Sequence, residues 1–417
     1  MITVMSSSLL GSVPMPPSKS HAQRVLAAAL LAEGSSLIAS PGNAHDVLTA
    51  IGLLTQSAQN VVVDNEKVEI TGGMKILPNS VFNCNDSALC ARLFTPVFTL
   101  SGKSFVVTGS SGLRKRPVAK DLLNLTHMGL RVESNGDFLP LKIVGGTLRA
   151  GYYCIDASQS SQFASGLLMS LACTDADSSI ELIHALSMPY LILTVKVMRD
   201  FGIEVFQQGN VFDIRGKQRY RAGEFNIEGD WSAAAFWCVA AAIAGKIVLK
   251  NLNFDSVQAD IAVLQLLQQA EVQYSVLADG LHVEKSNVRA FEFDVSHCPD
   301  LFPAAAVLAC VARGESQITG VQRLSHKESH RPMVIHQAFA KLGVPCSFRG
   351  DEFRITGTEI AGNTILGTDN DHRMAMAFTV LALATTNGLM IDNSKCVAKS
   401  YPDFYKHFLQ LGGNVHE

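Results

Sequence analysis

The sequence predicts an α/β fold in two domains, assembled from six related units with three units to a domain. Three observations carry that prediction. The chain has 417 residues, and at roughly 100–200 residues per domain this is two domains rather than one. Hydrophobic residues make up 47%, enough for each half to bury its own core, while a charged fraction of 17% excludes a disordered chain. The third observation is an internal repeat with a period of about 70 residues.

Each unit carries an Ala/Leu-rich run, a turn on Gly or Asp, and a β-branched run. In chain order these segments read LLAEGSSLI, TLSGKSFVVTG, ACTDADSSIEL, AIAGKIVLKN, VARGESQITG and TTNGLMIDN, turning at Gly34, Gly102, Asp177, Gly245, Gly314 and Gly388. A second helix-turn-strand signature falls between them. It turns at Gly129, Gly202, Ala270, Gly343 and Gly412, with a weaker copy near Ser57. Each unit therefore holds two helices, each ending in Gly or a substitute and feeding a strand. The domain boundary is expected between the third and fourth units, in the polar, Gly-bearing stretch from Gly216 to Gly229.

The charge balance narrows the function classes. Lys+Arg is 34 against Asp+Glu 37, a net charge of -3, which gives no support to nucleic-acid binding or to a polybasic membrane surface. The most apolar stretch, Ala233 to Ala244, is too short to span a bilayer, which takes about 18 residues or more. No basic residue precedes Lys19, so a secretory signal is not expected and a cytoplasmic protein is. Nine cysteines, an odd number without a C-x-x-C pair, read as reduced, buried small hydrophobes. His326 and His330 stand four apart with Glu328 between them, a pattern too weak to predict a metal site.

Polar clusters stand where the Ala-rich helices begin. They are Ser18-Lys19-Ser20 with Arg24, Asn83 to Ser87, Ser158 to Gln162, Glu228 to Ser232, His297 to Asp300, and Thr368 to Arg373. Ser, Asp and Asn are ordinary N-caps. Lys19, Arg24 and Arg373 are not explained by capping, because a cation in the first turn opposes the helix dipole. Cations beside free backbone N–H groups at a helix start suit a phosphate or a carboxylate. Two charged loops, Arg114-Lys115-Arg116 and Arg323 to Arg331, occupy matching positions in their units and add Arg116, Lys327, Glu328 and Arg331 to the candidates.

At these clusters the chain resembles the enolpyruvyl transferases, most closely the branch that uses shikimate 3-phosphate as acceptor. The likeness runs from SKSHAQR to KSYPDF. It rests on Ser18-Lys19-Ser20 with Arg24, Ser160-Ser161-Gln162, Lys327-Glu328-Ser329 with Arg331, and Asn370 to Met376, in that order and spacing. It implies two domains of three βαβαββ units each, with the active site in the interdomain cleft. The N-terminal strand would belong with the C-terminal half, so residues 1–13 and 228–417 would form a discontinuous domain and 14–227 an inserted one. The implied reaction moves the enolpyruvyl group of phosphoenolpyruvate to the 5-hydroxyl of shikimate 3-phosphate and releases phosphate. It needs no metal or organic cofactor. A monomer is expected.

The resemblance also assigns residues. Lys19, Asp300 and Glu328 would be catalytic, with Asp300 facing the 5-hydroxyl as base and Glu328 protonating the methylene carbon. Lys19, Ser20, Arg24, Ser160, Ser161, Gln162, Ser187, Tyr190, Asp300 and Lys327 would contact shikimate 3-phosphate. Lys19, Ala88, Arg116, Gln162, Arg331, Arg373 and Lys399 would contact phosphoenolpyruvate. Asp46 and Asp230 match family acids read as structural.

The family's usual Gly-Asn-Ser/Ala-Gly-Thr segment reads Asn85-Asp86-Ser87-Ala88-Leu89 here. The Ala88 methyl should narrow the phosphoenolpyruvate pocket, and Asp86 should bring a negative charge toward an anionic ligand. His330 replaces the usual Asp before Arg331, and Ser325 an Arg. Two rival readings are a non-catalytic or retuned relative that binds shikimate 3-phosphate, and the sister transferase that uses UDP-N-acetylglucosamine. The sister carries Lys-Asn where this chain has Lys19-Ser20, and a loop Cys that Gly109 to His127 lacks.

Overall fold

In the computed structural model, which describes residues 1–64 and 66–416, the six repeats become six four-stranded sheets. The second repeat shows the plan. Strands Ser80–Asn83 and Phe105–Thr108 pair in parallel, joined by helix Ala88–Thr99. Strand Phe138–Gly146 then runs antiparallel to Phe105–Thr108, and Leu130–Asn135 pairs on its far side. The spatial order is thus first, second, fourth, third, which is what a parallel crossover followed by a hairpin produces.

The chain divides into two units, Met1–Pro16 with Glu228–Glu417, and Pro17–Ile227. The first crossing comes after Pro16, not after residue 13 as expected. Leu9–Pro14 pairs along its whole length with Gly245–Lys250, and Met15 N–H donates to the Lys250 carbonyl at 3.0 Å. The N-terminal segment supplies two strands, not one. Ile2–Met5 completes the sixth-repeat sheet between Leu389–Ile391 and Asn414–His416, while Leu9–Pro14 completes the fourth. In the other unit Glu224–Asn226 completes the first-repeat sheet against Ser35–Ala39.

Each unit is centred on its three Ala-rich helices. Lys19–Leu31, Ala88–Thr99 and Gln162–Leu171 pack in one, and Trp231–Ala244, Phe302–Val311 and His372–Ala382 in the other. Every residue of Trp231–Ala244 except Ile243 is buried, which accounts for its uniformly apolar sequence. Among the described residues no helix is long and apolar enough to cross a membrane.

The second helices vary more: His45–Ser57, Met188–Asp200 and Arg331–Leu342 run 12 or 13 residues, while Val263–Gln269 and Phe404–Gln410 run only 7. In the second repeat one dissolves into Ala119–Leu122 and a 3-10 stretch, Leu123–Met128. Gly343 ends helix Arg331–Leu342 with φ 72, the left-handed cap that favours glycine.

Candidate active site

Four of the six Ala-rich helices begin with a side-chain cap. Ser18 accepts from His21 N–H, Ser87 from Cys90 N–H, Asp230 from Ala233 N–H and Asp371 from Arg373 N–H. These caps fix where the first-turn side chains stand, Lys19, Ala88 and Arg373 among them.

In Pro17–Ile227, Lys19 opens its helix and pairs with Asp46 at 3.1 Å. Arg24 lies one turn on and is 1% exposed. Its Nε donates to Thr194 Oγ1 at 2.8 Å, one terminal nitrogen to the Ser20 carbonyl at 2.8 Å, and the other to Ser165 Oγ at 3.4 Å. These partners are two hydroxyls and a carbonyl. Burial pulls the guanidinium down to about 10, and the nearby Tyr190 hydroxyl offsets part of that fall. The Tyr190 ring lies 6.0 Å from the guanidinium carbon. Tyr190 and Thr194 share helix Met188–Asp200, whose N-cap, Ser187, is buried and left-handed at φ 60.

Ser160 and Ser161 are buried at the start of helix Gln162–Leu171. Ser160 Oγ accepts from Gln162 N–H at 3.2 Å, so it orders the turn before the helix as well as being a candidate ligand. Gln162 Oε1 accepts from Arg92 at 3.4 Å, and Arg92 is itself paired with Asp121. Ala88 is buried as the first residue of helix Ala88–Thr99. Arg116 ends the 3-10 turn Leu113–Lys115 and is half-buried. Asp86 does not stand as an uncommitted charge: its Oδ1 accepts from the Ser110 hydroxyl.

In the other unit the candidates form one charged network. Arg331, 1% exposed, donates to Asp300 at 2.7 Å, Glu328 at 3.0 Å and Asp371 at 2.9 Å. Arg373 holds the second oxygen of Asp300 at 2.8 Å. Burial alone would push the Asp300 carboxyl up, but Arg373 and Arg331, with Lys327, draw it well below the usual carboxylate range. The same carboxylates raise Arg331 against the pull of burial. Lys327, half-buried, is held at about 7 by burial and by the repulsion of Arg323 and Arg331, against the attraction of Asp300 and Glu328. Lys399 Nζ donates to the Asn370 carbonyl at 2.8 Å, in the turn that leads into Asp371. His330 serves as the N-cap of Arg331–Leu342, its Nδ1 accepting from Met333 N–H at 3.2 Å, so it supplies the acceptor that an Asp would.

The assigned residues divide by unit. Lys19, Ser20, Arg24, Ala88, Arg116, Ser160, Ser161, Gln162, Ser187 and Tyr190 lie in one, and Asp300, Lys327, Glu328, Arg331, Arg373 and Lys399 in the other. Sequence reasoning gave no role to Asp371, which is fully buried, caps a helix and binds Arg331. It also passed over Thr194 and Ser165, which aim Arg24, and Asp260. Burial, reinforced by Asp300, pushes the Asp260 carboxyl up to about 7, and Asp260 accepts from Ser232. Asp371 stood in a quoted motif and was open to recognition; Thr194 and Ser165 carry no local signal. Among the described residues no cluster of three or more His, Cys, Asp or Glu could hold a metal ion.

The sequence model of the family described as EPSP synthase (3-phosphoshikimate 1-carboxyvinyltransferase) matches residues 4–408. A 3-phosphoshikimate 1-carboxyvinyltransferase of Clostridium botulinum is 30% identical over 98% of this chain and 96% of its own. That of Methanocorpusculum labreanum is 32% identical over 100% of this chain and 99% of its own. A solved structure of EPSP synthase from Acinetobacter baumannii shares the fold, with a TM-score of 0.85 at 24% identity, covering 100% of this chain and 99% of that one. With its repeats, its helix-start cations and a family match from end to end, the chain belongs to the EPSP synthase family.

Proposed function

We propose that the chain transfers the enolpyruvyl group of phosphoenolpyruvate to the 5-hydroxyl of shikimate 3-phosphate and releases inorganic phosphate, as a 3-phosphoshikimate 1-carboxyvinyltransferase of aromatic amino acid biosynthesis. Beyond family membership, the observation that carries this reading is Arg24. It is a buried cation at a helix start, held by two hydroxyls and a carbonyl, so an anionic ligand completes its charge balance. Arg331 and Arg373 supply the matching cations in the other unit.

Shikimate 3-phosphate is held by Ser20, Arg24, Ser160, Ser161, Gln162, Ser187, Tyr190 and Lys327. Phosphoenolpyruvate is held by Arg116, Gln162, Arg331, Arg373 and Lys399 against Ala88. The 5-hydroxyl oxygen attacks the carbon that bears the phosphate ester while the methylene carbon takes a proton from Glu328, with Lys19 assisting. The tetrahedral adduct then expels phosphate, and the methyl group returns a proton to restore the enol ether.

Asp300 must accept the hydroxyl proton in this scheme, and two guanidinium groups make it a poor base. A carboxylate or phosphate that takes donors from Arg331 and Arg373 relieves that hold and raises the basicity of Asp300. Substrate binding thereby prepares the base. The reading extends to a cytoplasmic monomer, in keeping with nine cysteines that stand as free thiols.

The test is phosphate release from phosphoenolpyruvate by the purified protein without added metal, with shikimate 3-phosphate or UDP-N-acetylglucosamine as acceptor. Release that depends on shikimate 3-phosphate is expected. Release only with the nucleotide sugar, or with neither, contradicts the proposal.

A further inference from the structure

Asp86 has no part in the scheme above, yet its carboxylate is committed. It sits in the turn before helix Ala88–Thr99, and its Oδ1 accepts from the Ser110 hydroxyl. Ser110 is a hub for the loop that carries Arg116. Its N–H donates to the Asn85 carbonyl at 2.8 Å and its carbonyl accepts from Arg114 N–H at 3.0 Å. Its hydroxyl oxygen accepts from Leu113 N–H at 3.2 Å. Arg116 N–H in turn donates to the Leu113 carbonyl at 3.1 Å. Gly112 leaves room beside this bond, since a Cβ there would stand 3.3 Å from Asp86 Oδ1 and 3.6 Å from Ser110 Oγ.

The chemistry of the pair is directional. A carboxylate only accepts, so it obliges the single hydroxyl proton of Ser110 to point at Asp86 and leaves an oxygen lone pair for Leu113 N–H. A hydrogen bond to an ionised acceptor is also stronger than a neutral one. We propose that Asp86 is a positioning residue: through Ser110 it clasps the turn that presents Ala88 to the loop that presents Arg116, and so sets the width of the phosphoenolpyruvate half-site. This rests on the proposed function, in which Ala88 and Arg116 face phosphoenolpyruvate.

The experiment compares steady-state kinetics and thermal midpoints of the full-length protein with those of Asp86→Ala, Ser110→Ala, the double variant, Asp86→Asn and Ser110→Thr. Asp86→Ala and Ser110→Ala should each raise KM for phosphoenolpyruvate about tenfold, the scale of one charge-assisted hydrogen bond. Both should leave kcat and KM for shikimate 3-phosphate within about twofold, because neither Asp86 nor Ser110 is assigned to the acceptor. The double variant should be no worse than either single one, since both break the same bond. Asp86→Asn keeps an oxygen acceptor without the charge and should recover part of the loss, and Ser110→Thr keeps the hydroxyl and should recover most of it.

Unchanged KM in the Ala variants, additive losses in the double variant, or an Asp86→Asn variant as impaired as Asp86→Ala would each overturn the proposal. If Asp86→Ala does not fold, Ser110→Ala and Ser110→Thr carry the comparison. If the parent protein binds phosphoenolpyruvate without turnover, the transfer reading fails alone, and dissociation constants from calorimetry with phosphoenolpyruvate replace KM. If the parent does not bind it at all, both fall.

Discussion

Lys327 shows how far a single side chain depends on its surroundings. Burial and two neighbouring arginines hold it near 7, so it is charged below that pH and neutral above it. A phosphate dianion beside it restores the charged form. Binding of shikimate 3-phosphate at pH 8 should therefore take up roughly one proton. Calorimetric titrations in two buffers of different ionisation enthalpy measure this; heats that do not depend on the buffer would contradict it, and Lys327→Met should abolish the uptake. At this scale the sequence was legible where a residue broke a local rule. Lys19 and Arg373 stood out because cations in a first helical turn oppose the dipole, and Arg24 follows Lys19 one turn on. Thr194 and Ser165, which orient Arg24, break no such rule and emerge only once two other helices are packed against it. Asp86 looked like a misplaced charge, because its partner Ser110 lies 24 residues away.

At the scale of elements, the helix-turn-strand punctuation was readable because Gly and Asp mark where helices end and β-branched runs mark strands. The close approach of helices was not readable. Gly166 lies where helix Gln162–Leu171 crosses Ala88–Thr99, and a Cβ there would stand 2.5 Å from the Leu93 carbonyl oxygen and 3.0 Å from Pro96 Cγ. These are the helices that carry Gln162 and Ala88. Gly166→Ala should force them apart and cost on the order of 1–3 kcal/mol of stability. A lower chemical-denaturation midpoint together with a raised KM for phosphoenolpyruvate is expected; an unchanged midpoint would mean that the crossing has slack.

For the molecule as a whole, the period of about 70 residues was enough to count six units and assign three to each half. Which strands complete which sheets was not accessible, because pairing joins segments far apart in sequence. Ile2–Met5 sits against Leu389–Ile391, and Glu224–Asn226 against Ser35–Ala39. The expected single N-terminal strand proved to be two, in different sheets. The shared plan recurs in the candidate cations: Lys19 and Arg24 lie on the helix Lys19–Leu31 of one unit, and Arg373 lies in the first turn of His372–Ala382 in the other. The proposed reaction transfers a carbon skeleton and not a phosphoryl group. Phosphoenolpyruvate labelled with oxygen-18 in the bridging ester position separates the two. The label is expected to leave with inorganic phosphate while shikimate 3-phosphate gains an enolpyruvyl ether at its 5-oxygen. Label retained in pyruvate, with phosphate released unlabelled, would mean cleavage at phosphorus and would contradict the proposed reaction.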